Sequence, residues 1–167
     1  DRHPAVRESR VYGAAHPHLG EVVEAEVVLR DAAATDALRD FCRAVSVDSA
    51  GNMYMQGETR SANFPVVNGL QTVLKGVEDS FITKLSPDGS AILYSTYLGS
   101  SLAEDGVGVV ADDSGLVYTA GATQFSDFPV TAGAYQSTNA GGTTDAYVSV
   151  LDTNLSGTAS LIYSTFF

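Results

Sequence analysis

The chain has 167 residues, 44% of them hydrophobic and 17% charged, enough apolar material for a packed core and too little charge for a disordered polymer. A formal net charge of −11 excludes a general nucleic-acid binder, which needs Lys and Arg to neutralise phosphates, and an anionic membrane surface would repel it. The single cysteine, Cys42, allows neither an intrachain disulfide nor a metal-ligand pair. No apolar run is long enough for a membrane span. No signal sequence opens the chain, and a start at Asp1 reads as an excerpt or a processed product.

Charge is unevenly placed. Residues 1–43 hold six arginines and all three histidines against eight acids, a net of −2, whereas 44–167 hold only Arg60, Lys75 and Lys84 against twelve acids, a net of −9. Gly, Ser, Thr and Tyr also concentrate in the second part. This shift marks a boundary between a segment 1–43 and the remainder. In the first segment a strand passes through Val11-Tyr12-Gly13, and Val22–Leu29 alternates as a second strand. Thr35 can cap a short helix that groups Ala37, Leu38, Phe41 and Cys42 on one side. The segment therefore reads as strand, strand, helix.

Residues 44–167 contain an internal repeat, which decides the fold. Asp48, Gly51, Tyr54, Gly57, Phe64-Pro65 and Gly69 return as Asp112, Gly115, Tyr118, Gly121, Phe128-Pro129 and Gly133 at an offset of 64. The offset then drifts: Leu70-Gln71 returns as Tyr135-Gln136, Asp79 as Asp145, Leu85 as Leu151, and Tyr94-Ser95-Thr96-Tyr97 as Tyr163-Ser164-Thr165-Phe166. Drift confined to loops is what small insertions produce. The spacing predicts four strands per copy. They are Ala44–Asp48, Met53–Glu58, Phe81–Leu85 and Ile92–Leu98 in copy one (44–106). In copy two (107–167) they are Val107–Ala111, Leu116–Ala120, Ala146–Leu151 and Ser160–Phe166. Ser86-Pro87-Asp88-Gly89 has the composition of a hairpin turn. Four antiparallel strands per repeat is the makeup of a propeller blade. The fold class expected is thus mainly β: two four-stranded antiparallel propeller-like blades after a small strand-strand-helix segment.

The pattern Val-Asp-x-x-Gly-x-x-Tyr-x-x-Gly-x-Thr, then Phe-Pro, Asp-x-Phe-x-x-Lys-Leu and Tyr-Ser-Thr-Tyr-Leu-Gly, resembles the seven-bladed β-propeller repeat family of bacteria over almost all of 44–167. That resemblance implies blades in large, often secreted or surface proteins and no defined catalytic activity. Residues 1–43 resemble part of the carboxy-terminal domain of acyl-CoA synthetases and related adenylate-forming enzymes, through His3-Pro4-Ala5-Val6, Gly20-Glu21 and Leu38-Arg39-Asp40-Phe41-Cys42-Arg43. That second resemblance implies a cytoplasmic setting. It covers only the middle of the small domain. The hinge motif, the segment with the catalytic lysine and the large domain have no match, so no catalytic residue is carried over.

Each candidate constellation has a simpler account. His3, His16 and His18 could be metal ligands, and His16-x-His18 on one strand would point both rings the same way, but no third zinc ligand is placed by a local motif. The turns Asp48–Asn52, Asp112–Leu116 and Asp152–Gly157 could offer oxygens to calcium. They lack the spaced acidic loop with a distal Glu, and Asx-turns explain them. Glu78-Asp79, Glu104-Asp105 and Asp112-Asp113 are carboxylate pairs, as a glycosidase needs. Neighbours on a strand point to opposite faces, and Asp79 and Asp145 hold one repeat position, which favours a structural role. Ser95 and Ser164 have no histidine in the repeat to activate them. Cys42 sits among apolar helix positions. Gly141-Gly142 precedes no helix that could hold a phosphate. No catalytic, cofactor-binding or metal-ligating residue is assigned, and no cofactor.

Two blades leave apolar faces and open edges. A longer parent protein, a ring closed by copies of the chain, or a cap formed by 1–43 would each relieve this, and the first is the favoured expectation. The function expected is a non-enzymatic repeat scaffold contacting a protein or glycan, with self-association through open faces. The alternative is a remnant or fusion of an acyl-adenylating enzyme.

Overall fold

The computed structural model describes the backbone of residues 6–16 and 20–29, and residues 44–167 in full. The chain divides into two units, Asp1–Asp40 and Phe41–Phe167. In the first, β1 (Val6–His16) and β2 (Gly20–Leu29) pair as an antiparallel hairpin, with Val11 opposite Ala25 and His16 opposite Gly20. The expected helix after Thr35 lies outside the described residues, as do Cys42, His3 and His18.

The second unit is almost entirely β. β3 (Ala44–Val47), β4 (Met53–Thr59), β5 (Asp79–Leu85) and β6 (Ile92–Leu98) form one four-stranded sheet in that order. β7 (Glu104–Ala111), β8 (Leu116–Thr123), β9 (Asp145–Asp152) and β10 (Leu161–Phe166) form the other. Every neighbouring pair is antiparallel. The registers repeat as the sequence does: Tyr54 faces Lys84, which faces Tyr94, and Tyr118 faces Val150, which faces Tyr163.

Only Ile92–Leu98 keeps both ends of the sequence reading; the other seven strands differ by one to three residues, two of them for a plain local reason. β7 starts at Glu104 rather than Val107, because Glu104–Gly106 pair with Gly121–Thr123 before a register shift at Val107. β10 starts at Leu161 rather than Ser160, because Gly157–Ser160 is a 3-10 turn in which Ser160 Oγ donates to Gly157 O at 2.7 Å. Period-two alternation registers neither a bulge nor a turn that ends on a strand-like residue.

Gly51 and Gly115 have φ of 84° and 89° and end equivalent turns, a conformation L side chains rarely adopt. Each turn is closed by an aspartate: Asp48 Oδ1 accepts from Asn52 N at 2.9 Å, and Asp112 Oδ1 from Leu116 N at 3.0 Å.

The two sheets pack face to face, β7 lying against β3, β4 and β5. Tyr54 and Ile82 of the first sheet meet Val109 and Val117 of the second. Tyr94 and Leu98 meet Phe128, Tyr147, Leu151 and Phe166. A third cluster, Phe64, Phe81 and Tyr97, lies on the opposite face of the first sheet, under the Phe-Pro connection. Among the described residues the two sheets close no ring.

Candidate functional site

Three regions could carry function: the polar groups between the sheets, a buried carboxylate pair at one end, and the outer face of the second sheet.

Between the sheets, alternation sends Gln56, Ser80 and Lys84 inward from the first sheet and Tyr147 inward from the second. Tyr147 OH donates to Ser80 Oγ at 3.2 Å and accepts from Gln56 Nε2 at 3.4 Å. Lys84 Nζ donates to Thr153 Oγ1 at 3.3 Å and stands 5.1 Å above the Tyr54 ring. Burial pushes the Tyr147 and Tyr54 hydroxyls well above the usual range, and for Tyr54 the neighbouring Asp48 adds to it. These phenols stay protonated and act as hydrogen-bonding groups.

Asp79 and Glu104 form the carboxylate pair. They come from different sheets and flank Gly99: a Cβ placed there would lie 2.5 Å from both Asp79 Cγ and Glu104 Oε2. Both are sequestered, with 0% and 1% of their surface exposed. Asp79 accepts from Gln71 Nε2 at 2.7 Å, Lys75 N at 2.9 Å and Gly76 N at 3.0 Å. Glu104 accepts from Ser100 N, Ser100 Oγ and Thr123 Oγ1. Burial raises both acids above the ordinary carboxylate range, and Asp79 pushes Glu104 further the same way. A substrate has no route to either carboxylate, and three donors already hold each one. This geometry ties the first sheet to the second. In two of the three carboxylate pairs the sequence neighbours part. Glu78 is ion-paired with Arg60 at 3.0 Å while Asp79 points inward, and Asp105 is exposed while Glu104 is buried. The signal that pointed to Asp79 was its return as Asp145, which accepts from Ala140 N at 2.6 Å as Asp79 does from Lys75 N. Nothing in the sequence joined it to Glu104.

The remaining candidates hold structural hydrogen bonds. Asp48 accepts from Asn52 N, Asn52 Nδ2 and Tyr54 OH. Asp112 accepts from Ser114 and Leu116, and Asp152 from Asn154. Burial lifts Asp48, but the bonds from Asn52 and Tyr54 outweigh it and hold its carboxyl low. Ser114 holds Asp112 low. Ser95 Oγ pairs with Thr83 Oγ1 at 2.9 Å, and Ser164 Oγ with Ser149 Oγ at 2.8 Å. Gly141 and Gly142 lie in an exposed loop. Among the described residues no group of three or more His, Cys, Asp or Glu could hold a metal ion, and no helix is long and apolar enough to cross a membrane.

The outer face of the second sheet carries exposed apolar side chains. Val110 is 63% exposed, Tyr118 44%, Val148 39% and Phe167 75%. Gly108, Val110, Tyr118, Ala120 and Val148 line a shallow groove of about 390 Å³ there. Singly exposed apolar side chains are ordinary, and several on one sheet face are the more informative observation. The edge strands are less open than the sequence suggested. Val67 N donates to Ser95 O at 3.1 Å and Tyr97 N to Gln71 O at 3.2 Å, so the Phe-Pro connection pairs along β6. Thr131 N to Ser164 O and Phe166 N to Gln136 O, both at 3.1 Å, repeat this along β10. Two of the four edge strands of the two four-stranded sheets, β6 and β10, are covered in this way.

No protein-family model matches the chain, and a comparison with characterised proteins finds no match.

Proposed function

We propose that the chain is a non-catalytic scaffold of β-propeller-type repeats whose loops and sheet faces contact another macromolecule, a protein or a glycan. One observation carries this reading. The polar residues that recur between copies form the same hydrogen bonds with one another in each sheet. Thr83 with Ser95 returns as Ser149 with Ser164. Gln71 N to Thr96 Oγ1 returns as Gln136 N to Thr165 Oγ1, both at 2.9 Å. Recurring polar residues engaged in this way support structure in every repeat, and the surface left for recognition is the variable, exposed part. Blade-like four-stranded meanders with matched registers fit the repeat resemblance.

The test is a glycan array and a pull-down with the full chain, alongside an ATP–pyrophosphate exchange assay with fatty and aryl acids. Capture of one saturable ligand, reduced by substitutions in exposed loops such as Tyr135→Ala, is the expected result. Exchange activity above background would replace the scaffold with an adenylating enzyme.

A further inference from the structure

We propose that the chain associates with copies of itself head to tail, the outer face of β7–β10 in one copy docking on the outer face of β3–β6 in the next. The argument is that the two outer faces are the two halves of an interface the chain already contains. On the first sheet, Tyr54, Ile82 and Leu98 are 0% exposed because the second sheet covers them. Their repeat equivalents Tyr118, Val148 and Phe167 are 44%, 39% and 75% exposed. On the second sheet, Val109 is 6% exposed and Val117 and Leu151 are 0% exposed, covered by the first. Their equivalents Val45, at 43%, and the half-buried Met53 and Leu85 form the matching side. Each open face thus carries the apolar positions that its counterpart buries.

The polar contacts point the same way. Where Lys84 meets Thr153 inside the chain, the equivalent positions are Val150 and Pro87. Where Gln56 and Ser80 meet the Tyr147 hydroxyl, they are Ala120, Ala146 and Phe81. Both sides of these two side-chain contacts become apolar together. Docking by the same geometry would therefore strand none of these side chains. A sheet with unrelated side chains would have no reason to show this matching. Because the two faces differ, the contact is heterologous: it closes into a ring if the rotation allows and otherwise continues as an open chain of copies.

Sedimentation velocity on the full chain, over a wide concentration range, should give a mass above that of one copy that rises with concentration. Val148→Glu and Val45→Glu each place an unpaired carboxylate on one of the two faces and should weaken association by about tenfold or more. Both sites are exposed, so circular dichroism and melting temperature should stay as in the parent chain. Mixing the two variants leaves one intact face on each, and the mixture should form a dimer. A chain that stays monomeric at every concentration overturns the proposal. So does association that survives Val45→Glu and is lost in Val148→Glu, the signature of a two-fold contact of one face with itself. A monomer that still captures a glycan or protein would sink this inference and leave the scaffold reading intact.

Discussion

Asp48 and Asp112 close equivalent turns, yet their tyrosine partners differ in environment. Tyr54 OH lies 2.9 Å from Asp48 Oδ2 and is wholly buried, while Tyr118 OH lies 3.4 Å from Asp112 Oδ2 at the surface. Removing an acceptor costs most where water cannot replace it. Asp48→Ala should therefore lose about 1–3 kcal/mol in urea denaturation, and Asp112→Ala clearly less. Equal losses would mean that the turn alone, without the tyrosine, sets the effect. Asp79 and Glu104 give a second prediction at this scale. Burial makes both bind protons more tightly folded than unfolded, so each opposes folding as it ionises. Their contribution is fully present below the ordinary values of 3.8 and 4.5 and is lost as pH rises through the raised folded values. Asp48, Asp112 and Asp127 act in the opposite sense, since their lowered carboxyls lose stability as pH falls below 3.8. The melting temperature should be higher near about pH 5 than near about pH 7.5. Asp79→Asn sets an amide against the three donors that face Asp79, so it should be less stable at both pH values and show a smaller difference between them.

At the scale of elements, the interface between the sheets can be tested by converting its polar cluster to the apolar set found at the equivalent positions. Tyr147→Phe alone removes a partner from Ser80 and Gln56 inside a buried contact and should cost about 0.5–1.5 kcal/mol. Combining it with Gln56→Ala and Ser80→Ala removes the groups left behind, and the triple variant should lose less than the sum of the three singles. Additive losses in urea denaturation would show that the hydroxyl and the amide act independently. The strands were legible because alternation and turn chemistry are local. Ile92–Leu98 matched at both ends, and Asp48, Gly51, Asp112 and Gly115 marked turns by residue type. The carboxylate pair was not legible, because Asp79 and Glu104 sit in different sheets and meet only across Gly99. The role of Gln71 and Gln136 was equally hidden. Their recurrence showed in the alignment, but only the three-dimensional path of the Phe-Pro connection brings their carbonyls to Tyr97 N and Phe166 N. Sequence patterns report what a residue does along its own strand. They do not report which distant strand or loop it faces.

For the whole molecule, charge and apolar surface pull in opposite directions. The chain carries a formal charge of −11, and residues 44–167 alone carry −9 from three cations and twelve acids. Two copies approaching each other meet long-range repulsion, while the faces proposed to meet present Tyr118, Val148 and Phe167 on one side and Val45 and Met53 on the other. Repulsion between solvated charges is screened over a Debye length of about 30 Å at 0.01 M salt but about 8 Å at 0.15 M. Burial of apolar surface is not weakened by salt in this way. Self-association should therefore strengthen as ionic strength rises from about 0.01 M to about 0.15 M, the reverse of an interface held by opposite charges. Measuring the dissociation constant by sedimentation at both salts decides between the two. Association that weakens with salt would place the contact at Arg60, Lys75 or the arginine-rich segment 1–43, and away from the outer sheet faces.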